Sequence, residues 1–456
     1  VEVVPDEERN DMAIDFTLTA EQKALQATAR EFAQGTLKPL VAKADAASDP
    51  QQGFQIVKPA YLEAYKLGFA MGPIPKQYGG GGVSNVDLQV VAEEICAVDP
   101  GFACILLVNG LALMPLVWFG SEAQKQKWLG EATGDRNHAY LAGWAVSEPA
   151  GIPGGTACFD HPDPHPVGHA TTAVHDPANG EYVLNGRKYW PSSAAGWDFK
   201  GANVNTVTVR TDTKKGGREG LSCILVPRGT PGMRFEPNID KLGHRLNQNA
   251  HMVFENCRVP EENAFAIGKG DLAISKAFTW SGPVAGIAAT AVGRSAYEYT
   301  LDWAKTYTAG GDKPIIYHQA VGYLLADAAM RIEACRYLSW KAAHYLDLYD
   351  SEGQAFGAMA KVFCSETMFE TVYKCMQVMG INSLDKSHPM EKYLREAAVL
   401  PIYDAGNVGM QRRKIWGVMC DPEYDPRAFV NSKPVRFVKT MEGVGVKALI
   451  PEPLSA

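Results

Sequence analysis

The chain has 456 residues, 46% hydrophobic and 21% charged. That is an ordinary globular composition, long enough for about two to four domains. A formal net charge of −7 and a pI near 5.9 exclude a polyanion such as nucleic acid as a natural partner. Nine cysteines without Cys-x-x-Cys pairs or regular spacing read as reduced thiols rather than a disulfide framework, so a cytoplasmic location is expected.

Val1 to Asp11 is acidic and has no apolar centre, so it does not read as a secretory signal. The first third reads helical. Thr19 followed by Glu21 and Gln22 is a helix-start pattern, and Leu25, Ala29 and Phe32 recur at helical spacing. Pro59 to Leu67 and Val86 to Ala97 predict further helices. Gly79 to Gly82 follow no strand pattern, so they read as a flexible loop rather than a phosphate cradle. No uninterrupted apolar run reaches the ~18 residues a membrane span needs, and none is expected.

The middle third changes to strand periodicity. Glu181 to Tyr189 reads as two short strands about an Asn185-Gly186 turn. Asn203 to Arg210, Ser222 to Pro227 and His251 to Phe254 read as further strands. His161, His165 and His169 recur every four residues, but Pro162, Pro164 and Pro166 forbid the helix that would gather them. They are expected as exposed histidines of a 158–170 insertion, and no metal is assigned. Helical patterns return at Pro283 to Thr306, Tyr317 to Leu348, Gln354 to Val378 and Met390 to Ala398. The resulting fold class is α+β: an N-terminal helical domain (1–138), a middle β-barrel or sandwich domain (139–266), a C-terminal helical bundle (267–420) and a tail (421–456).

Pro401 to Lys414 sets a lone carboxylate, Asp404, before the small residues Ala405, Gly406 and Gly409 and a basic cluster. Such a carboxylate can act as a base in a partly dry mouth. Taken alone, the segment fits a helix N-cap better than a base, since Asp is a preferred cap.

The three-part order and several short segments resemble the acyl-CoA dehydrogenase superfamily of flavoproteins, over roughly residues 14–420. The segments are Ala145-Val146-Ser147-Glu148-Pro149, Lys188 to Ser193, Lys241-Leu242-Gly243, Val253 to Pro260, Lys313 to Ala320 and Gln377 to Gly380. Within the superfamily, Trp190-Pro191-Ser192, Gly196 to Ala202 and Tyr403 to Asn407 are most similar to the nitroalkane oxidase branch, as is aspartate rather than glutamate at position 404. The resemblance implies a four-helix C-terminal bundle, bound FAD, a small-molecule substrate and a homotetramer. It implies that Asp404 is the base and that Ser281 bonds it. It places Trp144 and Trp190 beside the flavin ring, with Val146, Ser147 and Ser192 as its hydrogen-bonding contacts. It places Gln319, Gln377 and Gly380 at the FAD diphosphate or adenosine, across a subunit interface.

Tyr403, Gly282, Gln411 and Arg412 fall around the implied site. Acyl-CoA dehydrogenases carry arginine where Gly282 stands, which speaks against a thioester substrate. Both relatives carry arginine where Gln411 stands, so either nothing replaces it or Arg412 does. Three functions stay open: a nitroalkane-oxidase-like enzyme, a dehydrogenase of acyl thioesters, and a non-catalytic flavin-binding scaffold.

Overall fold

The computed structural model describes residues 16–135, 137, 139–149, 169–215, 219–350, 354–420, 422 and 424–426. Most of the expected tail and most of the 158–170 insertion, including His161 and His165, lie outside these residues.

The N-terminal helices are α1 (Ala20–Phe32), α2 (Lys38–Asp45), α3 (Pro50–Ile56), α4 (Lys58–Lys66), α5 (Asn85–Val98), α6 (Pro100–Phe119) and α7 (Glu122–Gly134). Thr19 caps α1 through a reciprocal bond with Gln22. Gly79 to Gly82 form a tight, hydrogen-bonded loop: a Cβ on Gly80 would fall 2.1 Å from the Ile74 carbonyl oxygen.

Helix α6 has no charged residue and is long and apolar enough to cross a membrane, with 67% of its most apolar window buried in the fold. The run is interrupted in sequence, as read, by Asn109, and the helix continues through it as a largely buried core element. Buried Asn109 donates to the Tyr61 hydroxyl and accepts from the Ala142 amide, which ties α6 to the start of the sheet.

The middle domain contains β1 (Ala142–Ala145), β2 (Thr172–Asp176), β3 (Glu181–Lys188), β4 (Val204–Arg210), β5 (Leu221–Pro227), β6 (Met233–Asn238), β7 (Ala250–Pro260) and β8 (Ala264–Phe265). They form one eight-stranded sheet in the order β6-β7-β3-β2-β4-β5-β8, with β1 parallel to β4. Strand β5 is buried on both faces. Ile224 and Val226 join the sheet's own core, while Leu221, Cys223 and Leu225 join the larger core shared with the helices.

Glu181 to Lys188 is one continuous strand, not a hairpin. Asn185-Gly186 is a bulge where the pairing with β7 shifts register. Gly186 has φ 140°, and a Cβ there would meet Thr171 at 2.7 Å, so glycine serves a close approach here rather than a turn.

The C-terminal helices are α8 (Gly270–Thr306), α9 (Gln319–Tyr349), α10 (Gln354–Met379), α11 (Met390–Val399) and α12 (Arg412–Met419). Helix α8 packs against α9, α10 and α11. It meets α10 through small residues: a Cβ on Gly282 would lie 2.7 Å from the Gly357 carbonyl oxygen, and one on Gly286 would lie 3.1 Å from that of Ala360. This close crossing brings Ser281 toward the turn that follows α11.

Candidate active site

Asp404 sits between α11 and a wide π-type turn, Gly406–Gln411. Asp404, Ala405 and Gly406 have consecutive φ values of 55°, 65° and 34°. Two non-glycine residues in the left-handed region are costly, and such strain clusters at functional sites. The turn has no side-chain cap. The Asp404 carboxylate instead receives the Ser281 hydroxyl, at 2.8 Å from Oδ1 and 3.0 Å from Oδ2.

Desolvation pushes the Asp404 carboxyl above the usual carboxylate range, opposed by Lys361, the Ser281 bond and Lys414. Lys361 was missed in the sequence because it lies in no family motif, and Lys414 closes the basic cluster after Asp404 without a role having been read for it. Buried Lys361 donates to the Pro401 carbonyl at 3.3 Å and to Asn407 Oδ1 at 2.8 Å, so it pins both ends of the turn carrying Asp404. Buried Lys414 donates to the Ser275 carbonyl and to Thr279 Oγ1, each at 3.2 Å. Burial lowers the Lys414 ammonium to about 8.

The residues expected to replace the relatives' arginine lie elsewhere. Gln411 donates to the Asp404 main-chain carbonyl at 3.0 Å, not to its carboxylate. Arg412 forms a bidentate pair with Glu366 at 2.7 and 2.8 Å on the exposed side of the helix. Gly282 is taken up by the α8–α10 crossing.

The two middle-domain segments are drawn side by side, with the Tyr189 amide donating to the Ser147 carbonyl at 2.8 Å. Buried Lys188 donates to the Val146 carbonyl at 3.0 Å and to Glu148 Oε1 at 2.8 Å. Glu148 also accepts the Ala170 and Thr171 amides. His169, expected in solvent, is fully buried beside this pair, 2.7 Å from Lys188 Nζ. Burial and Lys188 lower its imidazole to about 3, so it stays neutral. The proline-rich run before it concealed that residue 169 enters the sheet domain.

Trp144 is buried against Phe278, and its Nε1 has no hydrogen-bond partner among the described residues. Trp190 is 48% exposed with φ 66°. Ser192 Oγ accepts from Asn247 Nδ2 at 3.0 Å, which leaves the serine's own proton available to an acceptor. An indole N–H at Trp144 without a partner among the described residues and a hydroxyl proton at Ser192 are donors that fit the acceptor atoms of a flavin ring. Gln319, Gln377 and Gly380 are exposed at one end of the α9–α10 pair, where Ile315, Leu325 and Val378 pack together. Gly357, near Ser281, lies at the other end of α10, about 30 Å away at 1.5 Å rise per residue. A single chain therefore does not bring these three residues to Asp404.

The acyl-CoA dehydrogenase N-terminal, middle and C-terminal domain models match residues 19–134, 165–257 and 268–419. The chain belongs to the acyl-CoA dehydrogenase family. Members of the family are FAD-dependent oxidases or dehydrogenases. The nitroalkane oxidase of Podospora anserina is 31% identical over 433 residues, covering 91% of this chain and 98% of the relative. An acyl-CoA dehydrogenase of Bacillus subtilis is 30% identical, covering 86% and 96%. The solved structure of the Podospora anserina nitroalkane oxidase superposes with a TM-score of 0.84 at 30% identity, covering 91% of this chain and 99% of that one.

Proposed function

We propose that this chain oxidises a small carbon acid, with a neutral nitroalkane as the substrate class. The observation that carries this reading is the Asp404–Ser281 pair. An aspartate with a raised pKa, hydrogen-bonded among the described residues by a hydroxyl and by no cation, is poised to take a proton from carbon. Ser281 holds the carboxylate rotamer, while Lys361 and Lys414 keep enough positive field nearby for the base to ionise. FAD, when bound, supplies the two-electron acceptor, and oxygen then reoxidises it. Val146, Ser147 and Ser192 would hold the ring, Trp144 and Trp190 would flank it, and Gln319, Gln377 and Gly380 of a neighbouring subunit would hold the diphosphate. Water supplies the carbonyl oxygen as nitrite leaves, so the products are an aldehyde or ketone, nitrite and hydrogen peroxide.

Likeness to solved nitroalkane oxidase structures supports the substrate class, including one of an active-site variant crystallised with 1-nitrooctane at a TM-score of 0.84. A homotetramer is supported by the apolar residues left exposed near the Gln319 end, among them Tyr317 at 70% and Ile381 at 79%.

The second reading, an acyl-CoA dehydrogenase, rests on relatives such as that of Bacillus subtilis. Gly282 weighs against it, because an arginine cannot fit beside Gly357. Anaerobic mixing of the FAD-loaded protein with nitroethane and, separately, octanoyl-CoA decides between them. Bleaching of the flavin by nitroethane alone is expected. Bleaching by octanoyl-CoA alone would move the protein to the second reading, and bleaching by neither would leave a scaffold.

A further inference from the structure

A buried polar chain outside the base pair ends beside Asp404. Glu396, on α11, accepts from the His244 main-chain amide at 2.8 Å and from His244 Nδ1 at 2.6 Å. On the other side of the ring, His244 Nε2 lies 3.2 Å from the Tyr403 hydroxyl. Tyr403 is the residue before the candidate base. Its only other side-chain hydrogen-bond partner among the described residues is the Cys104 sulfur, at 3.9 Å.

Charge fixes the direction of these bonds. Burial alone would lower the His244 imidazole, but Glu396 and the neighbouring Cys104 thiol raise it to about 9. The ring is then doubly protonated at neutral pH, and both of its N–H groups donate. The groups around it are Glu396 and Lys392 from α11, Asp99 at the start of α6, Cys104 within α6, Lys241 from its own loop, and Tyr403 and Asp404. Lys392 bridges Asp99 at 2.7 Å and Glu396 at 2.9 Å, so two carboxylates share its charge. With His244 donating, the Tyr403 oxygen is an acceptor from the ring. Its O–H must point away from His244, and a thiol sulfur at 3.9 Å is a weak acceptor.

We infer that Tyr403 is a further catalytic residue, a hydrogen-bond donor to the substrate group that gains negative charge as Asp404 removes the proton, and that His244 and Glu396 are its positioning residues. This rests on the proton-abstraction reading above. When the C–H bond breaks, the proton goes to Asp404 and the electron pair moves onto the substrate's electron-withdrawing group. In a nitroalkane that group's oxygens become the nitronate. The Tyr403 hydrogen bond shortens onto one of them, and no bond of the tyrosine breaks. A cation behind the hydroxyl polarises it, which makes it a stronger donor in a dry site.

The test uses the full FAD-loaded chain and two readouts. The first is the limiting rate of anaerobic flavin reduction by nitroethane. The second is the affinity for butyrate, a planar anion of nitronate shape and charge, followed by perturbation of the flavin spectrum. Tyr403→Phe is expected to lower the limiting rate by about 10²-fold while leaving the nitroethane dissociation constant nearly unchanged. Butyrate affinity is expected to fall about tenfold or more. His244→Phe should reproduce part of both losses, and His244→Gln, which keeps a hydrogen bond without the charge, should recover some of them. If Tyr403→Phe leaves both readouts unchanged, or the wild type binds no butyrate, the inference is overturned. A wild type that nitroethane does not reduce defeats the substrate reading, and the butyrate arm still decides the role of Tyr403.

Discussion

Two carboxylates, Glu148 in the sheet domain and Asp404 in the helical half, face the same problem and meet opposite solutions. Each is removed from water near a lysine. Glu148 is bonded directly to the Lys188 ammonium and to two main-chain amides, and although burial opposes ionisation, these partners hold its carboxyl down at about 2. Asp404 has no cation in hydrogen-bond contact among the described residues. Its lysines are spent on the Pro401 and Ser275 carbonyls and on Asn407 and Thr279, and desolvation wins. The first carboxylate is built to remain an anion and fasten two segments together. The second, on the proposed function, is set to accept a proton. Direct contact with the cation, rather than its mere presence, then separates a strut from a base.

The sharpest way to break this contrast is to remove the base. Asp404→Asn keeps the shape but cannot take a proton, so stopped-flow reduction by a neutral substrate should slow about 10²–10⁴-fold with FAD content unchanged. A preformed nitronate should restore reduction. Wild-type speed on the neutral substrate would leave Asp404 a structural residue.

Lys188→Met attacks the strut. It strands Glu148 as a buried, uncompensated charge and should cost about 3–5 kcal/mol in urea denaturation. The double change with Glu148→Gln should return much of that. Glu148 has a depressed carboxyl, so its contribution to stability is present above the unfolded value of 4.5 and lost as pH falls toward about 2. The double variant should lack that segment of the acid-unfolding curve. An unaltered curve would show that the pair does not couple to folding.

Smaller shifts distinguish the cations around Asp404. Lys361→Met removes a field that favours the carboxylate, so the acidic limb of the rate profile should move to higher pH and activity should fall earlier on acidification. Arg412→Gln should leave the limb in place, since that guanidinium is held by Glu366. Gln411→Arg should move it little, because position 411 faces the main-chain carbonyl of Asp404. A large downward shift from Gln411→Arg alone would mean that the turn rearranges to admit the arginine.

The three-part architecture was legible because hydrophobic period changes from 3.6 to 2 and back along the chain. The capped start of α1 and the α4 and α5 segments follow the same local rules. The Asn185-Gly186 pair was misread, since the same dipeptide serves a tight turn or a bulge and only the partner strand decides. Asp404 and Ser281 were legible through family motifs, and the coordinates bring them to 2.8 Å. The roles of Lys361, Lys414 and His244 were not legible. Each residue lies more than 40 residues from at least one of its partners, and a buried lysine looks in sequence like any solvated one. The same long-range pairing hid His169.

The close crossing of α8 and α10 has an evolutionary consequence. Gly282 has no room for a side chain because the main chain of Gly357 already fills the space. Placing an arginine there is therefore not one mutational step away. Gly282→Arg in this background would push two long helices apart and disturb the Ser281–Asp404 pair before any new substrate could be tried. Widening of the crossing must come first, without benefit of its own. Such an order dependence acts as a ratchet against any chemistry that needs a cation at position 282.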